Sequence, residues 1–569
     1  MKTHIVMKTT IMKPFLFSLA IFLLIGCACF RLSAQVKTYT ENVTIVSNFV
    51  PTLSDANKLN AQPVIADTNV TISPLNYTFL TRKYKTAYAS EPIKPARVGE
   101  QKFTKLYKFL LKAGFGNYTM PYGEFYANNT YSRSFSIGAH LKHLSSSGKL
   151  KSWAYPGNSE NAVDFYGKKF FKTSVIGGTI DYKRNVYHYY GFKPDEFLIQ
   201  PTDKNVYKQR FNLINADVYF NSTHHPDSLK LNYSVDLKYY YLNDYYNTTE
   251  NAIALTGDIN KDLHLFKFTS SQVLGIFARV NYCFAQDTNL NYNAGIITLK
   301  PYLKTTFKGF NFNLGLDIST SADSNAKMHF YPDVDVQFNI VKNILIVFAG
   351  IDGHLTQNSF LSFTTENPYV ESKTLLSYTS NPYNIYGGIK SNISRSLNFS
   401  AAVSYSNLKN MPLYVNDTNM VFRNKFAVIY DDAKLLNIKG ELAYQKDEKF
   451  KLLVGGNFYN YKMATEQKAW QKPVFDAYID FFYNIHDKFI ISSSLIGRSN
   501  IYAKTFDGTS IVAKNVKGFA DISLGLEYRY SKILSAFLNL NNITSIKYYT
   551  WYNYPSYGFN LMGGVTYAF

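Results

Sequence analysis

Leu229-Lys230-Leu231-Asn232-Tyr233-Ser234-Val235-Asp236-Leu237-Lys238-Tyr239-Tyr240-Tyr241 decides the fold. Leu229, Leu231, Tyr233, Val235, Leu237, Tyr239 and Tyr241 share one parity, and Lys230, Asn232, Ser234, Asp236 and Lys238 share the other. Successive side chains of a strand point to opposite faces, so this segment is a strand with one oily face and one polar face. The pattern recurs from Phe310 to Ile318 against Asn311, Asn313, Gly315 and Asp317. It returns at Leu397, Phe399, Ala401, Val403 and Tyr405 against Asn398, Ser400, Ala402 and Ser404. The polar face favours small residues and glycine, which suits the inner wall of a wide barrel that side chains need not fill.

Working outward, short links alternate with longer ones. Lys308-Gly309, Val341-Lys342-Asn343, 392–395, 446–449, 484–488 and Tyr530-Ser531-Lys532 are tight. Segments 145–160, 190–205, 355–383, 409–433, 500–517 and 542–557 are long and rich in Asn, Asp and Thr. Counting back from the C-terminus places strands beginning near 558, 533, 518, 487, 471, 450, 434, 396, 384, 344, 330, 310, 292, 268, 251, 229, 206, 173, 161, 134, 122 and 107. The expected fold is therefore all-β: a large antiparallel transmembrane barrel of about 22 strands with both ends periplasmic. Tyr239-Tyr240-Tyr241, Tyr548-Tyr549 and Trp551-Tyr552 near strand ends suit a membrane interface.

The composition agrees. Tyr 48 and Phe 44 are high and charged residues make up only 18% of 569 residues, yet no apolar run after residue 35 approaches the ~20 residues of a spanning helix. The formal charge of +20 is scattered rather than blocky. No basic helix, zinc-ligand spacing or nucleic-acid module presents it, so the excess lysine is assigned to the lumen, the loops and anionic lipid headgroups, and nucleic acid is not an expected partner.

Residues 1–34 read as a secretory signal: Lys2, Lys8 and Lys13 precede the apolar stretch Phe15 to Phe30, with cleavage between Ala34 and Gln35. Leu24-Ile25-Gly26-Cys27 offers an alternative, lipidation at Cys27. Removal of the leader takes Cys27 and Cys29 with it and leaves Cys283 as a lone strand cysteine. Residues 35–105, interrupted by Pro51, Pro63, Pro74, Pro92 and Pro95, form a short periplasmic or lumenal arm, and 106–569 form the barrel.

In Gly558 to Phe569, residues Phe559, Leu561, Val565, Tyr567 and Phe569 share one face and the chain ends on an aromatic. Such a strand resembles the signal read by the barrel-insertion machinery, with Tyr567 and Phe569 as its aromatic positions. Leu538-Asn539-Leu540-Asn541-Asn542-Ile543, Lys547 through Tyr552, Tyr554-Pro555, Gly558-Phe559 and Tyr567-Ala568-Phe569 resemble the end of a TonB-dependent receptor. Asn42 to Thr68 and Ala113-Gly114-Phe115-Gly116-Asn117-Tyr118 resemble plug-poor, receptor-like barrels of the Bacteroidota. The resemblance implies an outer-membrane protein, but the roughly 70 residues before the first strand are too few for a full plug at ordinary domain sizes. Glu41-Asn42-Val43-Thr44-Ile45-Val46 resembles the short TonB box that pairs with an energising protein; an extended arm is the plainer reading.

No local motif in the sequence points to catalysis. Ser136, His140 and Lys142 share an inward strand face without a triad or nucleophile elbow. His224-His225-Pro226-Asp227 reads as a hairpin link rather than a metal site. Asp333-Val334-Asp335 and Asp431-Asp432 read as lumen or loop carboxylates. No catalytic, cofactor-binding or metal-binding residue is assigned, and the chain is expected not to be an enzyme. The expected function is a plug-deficient receptor-like transport or envelope-assembly component of the outer membrane. The alternatives are a TonB-dependent importer with a reduced plug and a sealed structural subunit of a multiprotein complex. Expected partners are outer-membrane lipids, the insertion machinery, and other envelope proteins or a TonB-type energiser.

Overall fold

The computed structural model describes residues 106–569, apart from 131, 198–202, 224–229, 264–265, 268, 270, 288–290, 323–325, 418–420 and 507–509. The leader with Cys27, Ala34 and Gln35, the arm with Glu41 to Val46, and the His224-His225 link lie outside the described residues.

Twenty-two antiparallel strands, from Phe109–Gly116 to Asn560–Ala568, form one sheet. Each pairs with the next, and the last returns to the first in a register running from Leu110 opposite Ala568 to Gly116 opposite Met562. Closure leaves no unpaired edge, the condition for a sheet to cross a bilayer. The alternation seen at 229–241 appears in space as expected. Val235, Leu237 and Tyr239 are exposed on the outer wall. On the inner wall, Lys238 Nζ lies 3.5 Å from both Asp217 and Asp236. Isoleucines, leucines and phenylalanines are exposed around the whole circumference, as lipid requires.

One end of the barrel carries tight turns. Lys308 and Gly309 take φ of 46° and 84°, the left-handed pair that a two-residue hairpin needs to match strand twist. Asn343, Asp447, His486 and Asp487 are also at positive φ. Both ends of the sheet lie here: Phe109 N bonds Phe569 O at 2.9 Å and Phe569 N bonds Phe109 O at 3.0 Å. The other end carries the long loops.

Two strands begin well before the positions that the sequence parity predicts, at Tyr378 rather than 384 and at Phe426 rather than 434. The hairpin Leu397–Asn416 with Phe426–Lys446 has strands of 20 and 21 residues, about twice the 9–11 a bilayer requires, so it projects past the membrane at the loop end. A register shift between Leu408 and Met411 breaks the alternation that pattern reading depends on. Beyond the shift, Met411, Leu413, Val415 and Ala433 pack around fully buried Trp470, an apolar core that sustains pairing where the sequence looks like loop.

The closing seam is tight. A Cβ on Gly564 would meet the Ala113 carbonyl oxygen and the Phe537 ring, and the carbonyl belongs to the opposing strand's backbone and cannot swing aside. Gly564→Val is expected to destabilise closure by about 2–4 kcal/mol. The check is loss of the compact, heat-modifiable band on unheated gels, and a variant that keeps this band at wild-type temperature would show that the seam yields.

Candidate functional site

The inner wall is a charged, hydrogen-bonded lattice. His140 bonds Asp164 through Nδ1 at 2.7 Å and Glu124 through Nε2 at 3.0 Å. Glu124 also accepts from Tyr122 at 2.5 Å and Tyr126 at 2.6 Å. With both ring nitrogens held by carboxylates, His140 cannot act as a base toward Ser136, which faces Lys168 in register; Lys142 pairs with Glu160 at 3.5 Å. Asp333 pairs with Lys300 at 3.1 Å, and Asp335 accepts from Gln337 at 2.8 Å, so both are wall carboxylates. Asp431 and Asp432 stand at the loop end. Asp431 takes the backbone N–H groups of Thr465 and Glu466, while Asp432 takes Lys409 Nζ at 2.7 Å. Cys283 is buried and unbridged.

The site of interest is the loop end, where loops from opposite sides of the ring meet in a buried core. Tyr189, Tyr190 and Phe192 come from the loop after Ser174–His188. Phe360, Phe363, Val370 and Leu376 come from the loop after Leu345–Gln357, and Trp551 and Tyr554 from the loop after Leu534–Asn541. Leu242, Tyr414, Phe426 and Val428 join it from the strands. The rings interlock: Tyr369 stacks on Tyr554 at 3.7 Å between centroids, and Tyr190 meets Tyr554 edge-on at 4.9 Å. Such rings each bury about 150–250 Å², so this cap is a small hydrophobic core in its own right.

Polar bonds stitch the same loops. Tyr189 Oη donates to Val370 O at 3.0 Å and Tyr190 Oη to Pro555 O at 2.9 Å. Asn424 Nδ2 donates to Tyr189 O at 2.5 Å, and Tyr554 Oη donates to Asn424 O. Gln209 Nε2 donates to Tyr189 Oη and to Asp244, each at 3.0 Å, and Ser372 Oγ donates to the same Asp244 carboxylate. Burial pushes the Tyr190 and Tyr554 phenols well above their ordinary values, which keeps them neutral donors.

A charged knot lies within the cap. Lys425 Nζ sits 4.7 Å from the Tyr189 ring centroid and 4.2 Å from that of Tyr246. Burial lowers its pKa, against the pull of Glu371, Asp244 and Asp417. Glu371, hydrogen-bonded to Asp417, is pushed up to about 7, first by burial and then by that neighbouring carboxylate, with Lys425 and Lys373 opposing. The backbone joins the two loops here: Glu371 N bonds Phe426 O at 2.9 Å and Phe426 N bonds Tyr369 O at 3.0 Å.

The short helix Phe360–Glu366 is capped twice. Ser359 and Ser362 form a reciprocal capping box. Fully buried Glu250 reaches from the wall to accept the N–H groups of Phe360 at 2.6 Å and Leu361 at 3.0 Å, together with Tyr240 Oη at 2.9 Å. Glu250→Ala strands those donors and is expected to cost about 1–3 kcal/mol locally. Loop 358–377 should then be cut by added protease at concentrations that leave the wild type intact; equal resistance would show that the capping box alone holds the helix.

No protein-family model matches the chain, and no curated protein matches it. Solved structures do. The pyoverdine outer-membrane receptor FpvA of Pseudomonas aeruginosa, bound to pyoverdine, superposes with a TM-score of 0.61 at 14% identity, over 82% of this chain and 79% of that one. A variant of the ferric enterobactin receptor PfeA of the same organism gives 0.60 at 12%, over 81% and 80%. These neighbours are TonB-dependent outer-membrane receptors. At this identity the receptor fold is what is shared.

The cap changes the reading of the aromatic clusters. Trp551 is buried in the cap, and Tyr548 stacks on Phe519 at 3.9 Å while donating to Asp521 at 2.6 Å. These rings serve loop packing rather than a membrane girdle, whereas Tyr239 is exposed on the outer wall as expected. The sequence marks these segments as long polar connections, and their convergence is not visible in it. The available signal was the density of large aromatics within them, Tyr189-Tyr190, Tyr245-Tyr246, Tyr369 and Tyr554, which exceeds what solvated loops need.

Proposed function

We propose that this protein is an outer-membrane, receptor-like transport barrel whose outward mouth is held shut by its own loops and opens only when a ligand or partner displaces them. The observation that carries this reading is the cap, because a permanently open pore has no use for a buried aromatic core spanning its mouth. Tight turns, both sheet ends and the aromatic pair Tyr567 and Phe569 then face the periplasm, with Tyr567 and Phe569 serving as the insertion signal. Residues 35–105 act as a periplasmic arm that gates the lumen or docks a partner in place of a full plug, after cleavage between Ala34 and Gln35. Within that arm, Glu41 to Val46 would be the coupling strand if import is energised.

The depth of cap burial equally favours a second reading, a sealed subunit retained for partner binding. Deleting 360–376 in cells separates the two. A gated barrel then admits bulky antibiotics normally excluded by the outer membrane, and deletion of 41–46 changes uptake. A sealed subunit leaves permeability unchanged although the cap is gone.

A further inference from the structure

On the wall strands Ser174–His188 and Lys208–Ser222 the even-numbered residues face lipid, as exposed Ile176, Ile180, Ile214 and Val218 mark. Toward the loop end the same face carries Arg184, Arg210 and Lys208. A tilted strand crosses the hydrocarbon in about 9–11 residues. Counted from Ser174 and Ser222, the ends away from the loops, that crossing finishes near Arg184 and Asn212 and leaves Arg210 and Lys208 at headgroup depth. A polar seam marks the boundary: Tyr182 Oη donates to Asn212 Oδ1 at 3.2 Å, and Asn212 Nδ2 donates to Asn243 Oδ1 at 2.8 Å. Cations of the two faces differ in their partners. Inward Lys183 lies 3.7 Å from Asp181, and inward Lys238 lies 3.5 Å from Asp217. Among the described residues, Arg184, Lys208 and Arg210 form no ion pair. Arg210 Cζ and Lys208 Nζ instead stand 5.7 Å and 5.9 Å from the ring centroid of exposed Tyr245. A ring face attracts a cation without neutralising it, so these positive charges stay uncompensated.

We propose that Arg184, Lys208 and Arg210 form a binding site for the headgroup of a membrane lipid that carries two phosphates, in the leaflet at the loop end. The register places Arg184 opposite Asn212 and Val186 opposite Arg210, so the two arginines are diagonal neighbours about 7–8 Å apart, within the span of one such headgroup. Guanidinium groups hold phosphate oxygens through paired hydrogen bonds, and the lysine adds a point charge. Ile180, Ile214 and Val218, exposed below the cations, meet the acyl chains of the same lipid. Three cations without a carboxylate suit more negative charge than one phosphodiester brings, which selects the doubly phosphorylated headgroup over an ordinary phospholipid.

The test uses the full chain in mild detergent, titrated at constant ionic strength with bisphosphorylated lipid A or its monophosphoryl form, and native mass spectrometry counts the lipid retained. Wild type is expected to bind the bisphosphorylated form saturably and more tightly than the monophosphoryl form. Arg184→Gln with Arg210→Gln should weaken that binding roughly thirtyfold, about fivefold for each cation. Lys183→Gln with Lys238→Gln removes the same charge from the inner face of neighbouring strands and should bind as wild type does. The compact band on unheated gels reports folding; if the arginine pair loses it, Lys208→Gln alone decides, with an expected loss of about fivefold. Wild-type affinity in the arginine pair, equal weakening in the inward pair, no preference between the two lipids, or displacement by inorganic phosphate in place of lipid would each overturn the proposal. The site needs only the outward face of two strands, so it can stand where the gating reading fails.

Discussion

Tyr554→Ala is expected to unlock the cap without unfolding the barrel. The side chain is buried, stacks on Tyr369, meets Tyr190 edge-on and donates to Asn424 O. Deleting a large buried aromatic costs about 3–5 kcal/mol, so the local opening equilibrium should rise roughly a hundred- to several-thousandfold. The membrane-level parts of the wall strands, away from Phe426 and the other cap contacts, should keep their stability. Hydrogen exchange reads this directly: the amides of Glu371 and Phe426, which bond across the two loops, should lose protection, while those of Val235 and Leu237 should not. Unchanged protection at Glu371 would mean that the loops hold each other through the polar stitches alone.

The second large effect concerns pH. Glu371 has an ordinary value of 4.5 and is held near 7 in the closed cap, by burial first and by Asp417 second. The closed state therefore binds more protons than the open state between those values. The sign follows from linkage: cap stability falls as pH rises from about 4.5 to about 7 and is flat above, because both states have then lost the proton. Allowing for partial solvent exposure, the swing is of the order of 2 kcal/mol. Glu371→Gln keeps a neutral, hydrogen-bonding group beside Asp417 and should hold the cap near its acid-side stability throughout. Exchange of the Phe426 amide at pH 5 and pH 7.5, corrected for intrinsic rates, is the check. A wild-type swing that persists in Glu371→Gln would move its origin to another carboxylate, Asp244 being the next, since burial raises it too.

The barrel was legible in the sequence because its code is local. A strand with lipid on one side and a wide lumen on the other must alternate at period two, and Leu229 to Tyr241, Phe310 to Ile318 and Leu397 to Tyr405 each do so in isolation. Tight turns such as Lys308-Gly309 then fixed which links are short, and counting gave the 22 strands that the sheet contains. The count held even where boundaries slipped at Tyr378 and Phe426, since a register shift alters where a strand begins, not whether it exists.

The cap was not legible, for the opposite reason. Its contacts join residues far apart in the chain, Tyr189 with Val370, Tyr190 with Pro555 and Tyr554 with Asn424, and no period relates them. They meet only because closing the sheet into one ring turns the loops after its fifth and thirteenth strands toward a common mouth. Local alternation along the chain is enough to specify a membrane-spanning barrel with an aromatic last strand. That aromatic loops pack together at one end, and that Glu371, Asp417 and Lys425 share a buried knot, follows from the tertiary fold. Burial and pairing of loop side chains depend on which distant loops the closed ring brings together.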